Sequence, residues 1–116
     1  MIGHRAKEYS ELQAAVTPKL QQLLYTNQRV YLFASSCTGV MEGSIRQSCL
    51  KRALTTVCDA FSKRWHEIVV DNGVPCDKLE VAPGQAITTD LVDEALSKGD
   101  YDAICLTMNE TAIGKR

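Results

Sequence analysis

Over the first quarter of the chain the apolar residues Tyr9, Leu12, Val16, Leu20, Leu23 and Leu24 recur at steps of three and four. That spacing predicts an amphipathic helix over 7–25. Pro18 interrupts it and is expected to kink or restart the helix, with Thr17 as a candidate cap. Asn27-Gln28 reads as a turn. The pattern then changes to an unbroken apolar run, Val30-Tyr31-Leu32-Phe33-Ala34, which predicts a buried strand over 29–34. Met41, Ile45 and Cys49 are four apart and predict a helix. A second strand is expected over 53–58. Phe61, Trp65, Ile68 and Val69 form the next helical stripe, closed by Asn72-Gly73. A short third strand is expected over 78–82, and Pro83-Gly84 breaks the chain. Thr88 or Thr89 caps a helix carrying Leu91, Val92, Ala95 and Leu96, and a fourth strand follows over 101–107. Strands alternate with helices, so the fold class is α/β with a largely parallel sheet.

In open α/β sheets ligands bind beyond the carboxyl ends of the strands. Three segments fall there. Ser35-Ser36-Cys37-Thr38-Gly39 follows the first strand and opens a helix. Small hydroxylated residues in that position make an anion site, because the first helical N–H groups lack partners and the helix dipole favours negative charge. Asp59-Ala60-Phe61 follows the second strand, and Met108-Asn109-Glu110-Thr111 follows the fourth. With parallel strands the three share one rim, which suits a planar phosphorylated ligand. Each also has a plainer reading: a simple strand–helix turn, a core position for Phe61, and a solvated loop at 109–111. Glu42 and Arg46 likewise read as a surface ion pair at i,i+4. The rim carries no nucleophile beside a base. His4 is terminal, and His66, mid-helix beside Trp65, reads as exposed or structural.

Composition narrows the classes. With 116 residues, 45% hydrophobic and 23% charged, the chain reads as one ordinary globular domain. A net charge of −1 leaves no electrostatic footprint for nucleic acid or a membrane surface. No apolar run approaches the roughly 20 residues that span a bilayer. The segment Met1-Ile2-Gly3-His4-Arg5 has no apolar core, so no signal peptide is expected, and Ile2 stands where myristoylation needs glycine. The five cysteines, Cys37, Cys49, Cys58, Cys76 and Cys105, have neither C-x-x-C nor other metal-ligand spacing. Reduced thiols in a cytoplasmic protein are the expectation, and no metal site is expected.

Met1-Ile2-Gly3-His4-Arg5 and Lys7-Glu8-Tyr9-Ser10-Glu11-Leu12 resemble the early part of class V pyridoxal-phosphate aminotransferases. The alanine–glyoxylate and serine–glyoxylate branch is the most similar. The resemblance continues through Ser35-Ser36-Cys37-Thr38-Gly39-Val40-Met41-Glu42 and Ala60-Phe61-Ser62-Lys63-Arg64-Trp65. It ends with Asp100-Tyr101-Asp102-Ala103 and Asn109-Glu110-Thr111, so it covers essentially the whole chain. It implies a partial three-layer α/β/α fold, that of the aspartate aminotransferase-like large domain, over residues 1–116. It also implies pyridoxal 5'-phosphate as cofactor. Ser36, Cys37 and Thr38 fall at the phosphate loop, Phe61 where an aromatic ring stacks on the cofactor, and Thr111 where a hydroxyl approaches the cofactor's phenolic oxygen. Cys37 stands where the family usually has glycine, so a positive φ there would strain it.

The family's chemistry also needs a lysine that bonds covalently to the cofactor, an acid at the pyridine nitrogen and an arginine for the substrate carboxylate. The resemblance places all three beyond residue 116, and the family's opening segment before Met1. No catalytic residue is therefore assigned here. The chain is expected to be the front of the large domain, cut at both ends, and inactive alone. The implied reaction is amino transfer between a small amino acid, alanine or serine, and a 2-oxo acid such as glyoxylate, in a homodimeric enzyme. The alternative is a non-catalytic binding or interaction module that pairs with a full-length relative.

Overall fold

The strand Ala53–Val57 (β1) is buried at all five positions, although Thr55 and Thr56 interrupt its apolar sequence. Only a strand covered on both faces is buried in that way. Cys76–Glu80 (β2) and Ala103–Cys105 (β3) flank it in the order β2-β1-β3, and both pairings are parallel. Ala53 lies opposite Cys76 on one side and Ala103 on the other.

The computed structural model describes residues 2–110. It forms two compact units, one up to Ala34 and one from Ser35 onward. In the first, Lys7–Leu23 is a helix (α1) with no buried residue. Pro18 lies inside it without restarting it. Proline deletes one rung of the hydrogen-bond ladder, to the carbonyl four residues back, and here the helix continues across the gap. Thr17 is helical and its hydroxyl donates to the Gln13 carbonyl at 2.9 Å, so it does not act as a cap. The helix ends where Tyr25 takes a left-handed φ of 50°, with the Thr26 N–H reaching back to the Gln21 carbonyl at 3.0 Å.

The strand expected over 29–34 is not formed. The segment has no ladder partner among the described residues, and a strand exists only through one. Tyr31, Leu32 and Phe33 are consequently exposed. The backbone is still compatible with extension: Tyr31 and Phe33 place their rings 6.3 Å apart, and the Arg29 guanidinium lies 5.9 Å from the Tyr31 ring.

The second unit is layered. Successive residues of β1 point to opposite faces. On the face of Ala53 sit two helices, Cys37–Ser48 (α2) and Ala60–Asp71 (α3). Ile45, Cys49, Ile68 and Val69 pack there with Ala53 and Cys105. On the face of Thr56, Thr89–Leu96 (α4) shares a cavity with the sheet, lined by Thr88 and Val92. The crossover from β1 to β2 and the one from β2 to β3 run in opposite directions across the sheet, so right-handed connections put α3 and α4 on opposite faces. The expected α/β/α layering with a parallel sheet is thus present. Helix ends follow local chemistry. Gly73, at φ 72°, closes α3, and the Thr88 hydroxyl accepts from the Leu91 N–H at the start of α4.

The strand expected over 78–82 forms two residues earlier, as β2, and the one expected over 101–107 is cut to β3 for a tertiary reason. Asp102, at the expected fourth strand's start, is taken up by a loop. Its carboxylate accepts from the N–H groups of Leu50, Lys51 and Arg52 at 2.7, 2.9 and 3.1 Å, and from the Cys49 thiol at 3.2 Å. These bonds, that of Leu50 foremost, hold its carboxyl well below the usual carboxylate range. Beside it Tyr101 donates to Asp77 at 2.7 Å instead of extending β3.

Because the folded pKa of Asp102 is depressed, its stabilisation is present above the ordinary value near about 3.9 and is lost as pH falls through the folded value. We expect Asp102→Asn to lower the melting temperature clearly at pH 7 and to flatten the acid limb of the stability profile. Asp100→Asn, which breaks only an exposed pair with Lys51, should change the melt by at most about 1 kcal/mol equivalent. Thermal melts of both variants from pH 2 to pH 7 check this.

Candidate functional site

The two helices on the Ala53 face run the same way. The last turns of α2 pack on the second half of α3 through Ile45, Cys49, Ile68 and Val69, and Thr38 lines a cleft with Arg64 of the first half. Their N-termini therefore open toward one side, the side on which β1 ends. The two termini differ in one respect. That of α3 is closed and that of α2 is open.

The start of α3 is closed by Glu110. Its side chain is 1% exposed, and its carboxylate accepts from the N–H groups of Phe61 and Ser62 at 2.9 and 3.0 Å and from the Ser62 hydroxyl at 2.9 Å. The Ser62 oxygen in turn accepts from the N–H groups of Cys58 and Asp59, both at 2.9 Å. Desolvation alone raises a carboxyl pKa, but the three donors outweigh it and leave that of Glu110 lowered. The carboxylate supplies the negative charge that a helix N-terminus favours.

At α2 nothing of this kind occurs. Ser36 is the N-cap residue and makes no side-chain cap bond. Gly39 donates to the Ser36 carbonyl at 3.1 Å, while the N–H groups of Cys37 and Thr38 have no partner among the described residues. A Cβ on Gly39 would meet the hydroxyl of the exposed Ser35 side chain, which would have to rotate away. The backbone at Cys37 is ordinary helix. Tyr25 is the non-glycine residue with positive φ among those described, so the strain a cysteine would meet in a glycine conformation does not arise.

The residues singled out from the sequence fare unequally. Ser36, Cys37 and Thr38 form the open first turn of α2. Phe61 is half-exposed at the first turn of α3, rather than in the core. No hydrogen bond joins the 36–38 turn to Phe61 or Glu110 among the described residues. Thr111 lies outside the described residues. Lys63 lines a cleft of about 280 Å³ with Asp59, Glu80 and Pro83 at the ends of β1 and β2. His66 is structural: its Nδ1 lies 2.9 Å from the Thr55 hydroxyl and 3.4 Å from the Cys76 sulfur. Glu42 and Arg46 do pair, at 2.7 Å. Glu110 was legible as a rim or loop residue, not as a helix cap. The spacing Asp59-x-x-Ser62 marks a helix start, but nothing local shows that the second anion arrives from 48 residues away.

No family model matches the chain. It is 30% identical over 118 residues to the small subunit of a soluble hydrogenase of Synechococcus sp., covering 97% of this chain and 31% of that protein. It is 32% identical over 120 residues to an uncharacterised aminotransferase of Methanocaldococcus jannaschii, covering all of this chain and 31% of that protein. A phosphoserine aminotransferase structure from Cytophaga hutchinsonii superposes with a TM-score of 0.75 at 30% identity, over 96% of this chain and 30% of that one. The chain is a distant homologue of the class V-like aminotransferases. It spans about 31% of the length of the curated relatives it matches. Aminotransferases of this class depend on pyridoxal phosphate.

The aminotransferase-like region holds five free thiols in distinct settings. Burial pushes both Cys49 and Cys105 up to about 11, Cys49 further helped by its bond to Asp102, whereas Cys37 is exposed. Thiolate is the reactive form. Iodoacetamide at pH 8 under native conditions should therefore modify Cys37 while leaving Cys49 and Cys105 intact until the chain is unfolded. Peptide mapping by mass spectrometry reads the order.

Proposed function

We propose that this chain supplies part of the pyridoxal-phosphate site of a class V aminotransferase. The observation that carries the reading is the asymmetry of the two helix starts in a homologue of pyridoxal-phosphate enzymes: α3 is filled by its own carboxylate, and α2 is left open. Ser36, Cys37 and Thr38 would hold the phosphate, the backbone N–H groups of Cys37 and Thr38 donating to it. The half-exposed Phe61 ring would lie against the flat face of the pyridine. Thr111 would direct its hydroxyl to the phenolic oxygen. When bound, the cofactor acts as an electron sink that lets an amino group pass between an amino acid and a 2-oxo acid. The residues of this chain bind and orient it. They supply no proton-transfer group at the reacting carbon, and the substrate pair we propose is a small amino acid, alanine or serine, with glyoxylate. The working assembly on this reading is a cytoplasmic homodimer, and this chain corresponds to the front of the large domain.

Titration of the 116-residue chain with pyridoxal 5'-phosphate, followed by absorbance and phosphorus NMR, tests the site. Saturable binding is expected, competed by inorganic phosphate and weakened several-fold by Phe61→Ala. Mixed with alanine and glyoxylate, the loaded chain should form no glycine. Binding that inorganic phosphate fails to displace would overturn the assignment of the 36–38 turn. Turnover through a single modified lysine, such as Lys63 in the cleft at the ends of β1 and β2, would overturn the assignment of no catalytic group to this chain.

A second reading, a non-catalytic module that pairs with another chain, draws on the exposed run Tyr31-Leu32-Phe33. Unpaired extended apolar segments recruit other strands. Size-exclusion chromatography with light scattering should show self-association that Leu32→Lys reduces. A monodisperse monomer at every concentration would remove this reading.

A further inference from the structure

Glu110 holds more than a helix end. Phe61 has its ring half in solvent, so packing does little to fix where that ring stands. A side chain on a first helical turn takes its direction from the backbone beneath it. That backbone is held by Glu110: Oε1 lies 2.9 Å from the Phe61 N–H and Oε2 3.0 Å from the Ser62 N–H. The carboxylate reaches α3 from the segment that follows β3, and it is buried. Without it the Phe61 N–H in the first turn of α3 would lack a partner, and an unsatisfied helix terminus frays.

The geometry points to Glu110 as a positioning residue for the aromatic face of the cofactor site, a role that rests on the pyridoxal-phosphate reading above. Glu110 locks the first turn of α3, and with it the bearing of the Phe61 ring. It also settles where an anion goes. On the Ala53 face two helix N-termini open toward the same side, and the Glu110 carboxylate fills and neutralises one of them. On that face the start of α2 is then the one left for an anionic ligand. The same side chain thus divides the rim into a half that faces the planar ring and a half that takes the phosphate.

Two probes, pyridoxal 5'-phosphate and inorganic phosphate, separate this role from a merely structural one when titrated into the 116-residue chain. Glu110→Gln should weaken pyridoxal phosphate roughly tenfold, the loss of one oriented contact, while leaving inorganic phosphate within about twofold. On the Phe61→Ala background the same change should have no further effect on pyridoxal phosphate. The amide signals of Phe61 and Ser62 should lose exchange protection in Glu110→Gln without any ligand. Glu110→Asp keeps the charge and shortens the reach, and should shift affinity in the same direction; it carries the test if the glutamine variant does not fold. Asp102→Asn, which loosens the opposite end of the sheet, should lower the melting temperature and leave both affinities unchanged. If both probes bind the unaltered chain and Glu110→Gln weakens neither, or both equally, the positioning role is overturned and the reading of the site stands. If neither probe binds the unaltered chain, the site reading fails and this inference falls with it.

Discussion

Two carboxylates grip the β1–β3 pair from its two ends, and the rest of the α/β unit is arranged around that grip. At the amino end Asp102 gathers three consecutive backbone N–H groups, Leu50 to Arg52, where α2 turns into β1. At the carboxyl end Glu110 gathers those of Phe61 and Ser62, where β1 has turned into α3. Both carboxylates belong to segments adjoining β3. A three-residue strand contributes few ladder bonds of its own. Its place beside β1 is therefore secured as much by these flanking anions as by its backbone pairing. Burying an ion is costly unless its hydrogen-bonding capacity is met, and at Glu110 it is met by three donors.

The apolar core explains why the grip suffices. Ile45, Ile68 and Val69 close over Ala53 and Cys105, and each such side chain contributes about 1.5–3 kcal/mol on full burial. The exposed ion pairs scattered over the helices, such as Lys98–Glu94 and Arg46–Glu42, contribute at most about 1 kcal/mol each. Stability thus resides in the side chains packed on the two faces of β1 and in two anion-filled turns. The same device shapes the candidate site. A helix start satisfied from within cannot take a ligand, so the open turn at Cys37 and Thr38 stands out by contrast with its neighbour.

Helix positions were readable along the chain because their causes are local. The three-and-four spacing of Tyr9 to Leu24, the glycine after Asn72 and the threonine before α4 act within a few residues of themselves. The alternation of strands and helices likewise carried the α/β class, since a strand buried on both faces needs a helix layer on each side. The helix start at Ser36 was legible for the same reason: small residues at a helix start are a local signature.

What tertiary structure alone decided was everything that depends on a distant partner. The run 29–34 has the composition of a strand, yet hydrophobicity cannot provide a ladder, and the segment stays unpaired among the described residues. The length of β3 depends on where Asp102 and Glu110 find their donors, 50 and 48 residues away along the chain. Whether Phe61 is core or surface, and whether Glu110 is solvated or buried, followed from that encounter. By itself the sequence determined the elements and their kind, because those follow from periodicity and capping. Which helix start is filled and which is open required two remote segments to meet, because an anion at a helix terminus acts through space, over distances that no spacing along the chain records.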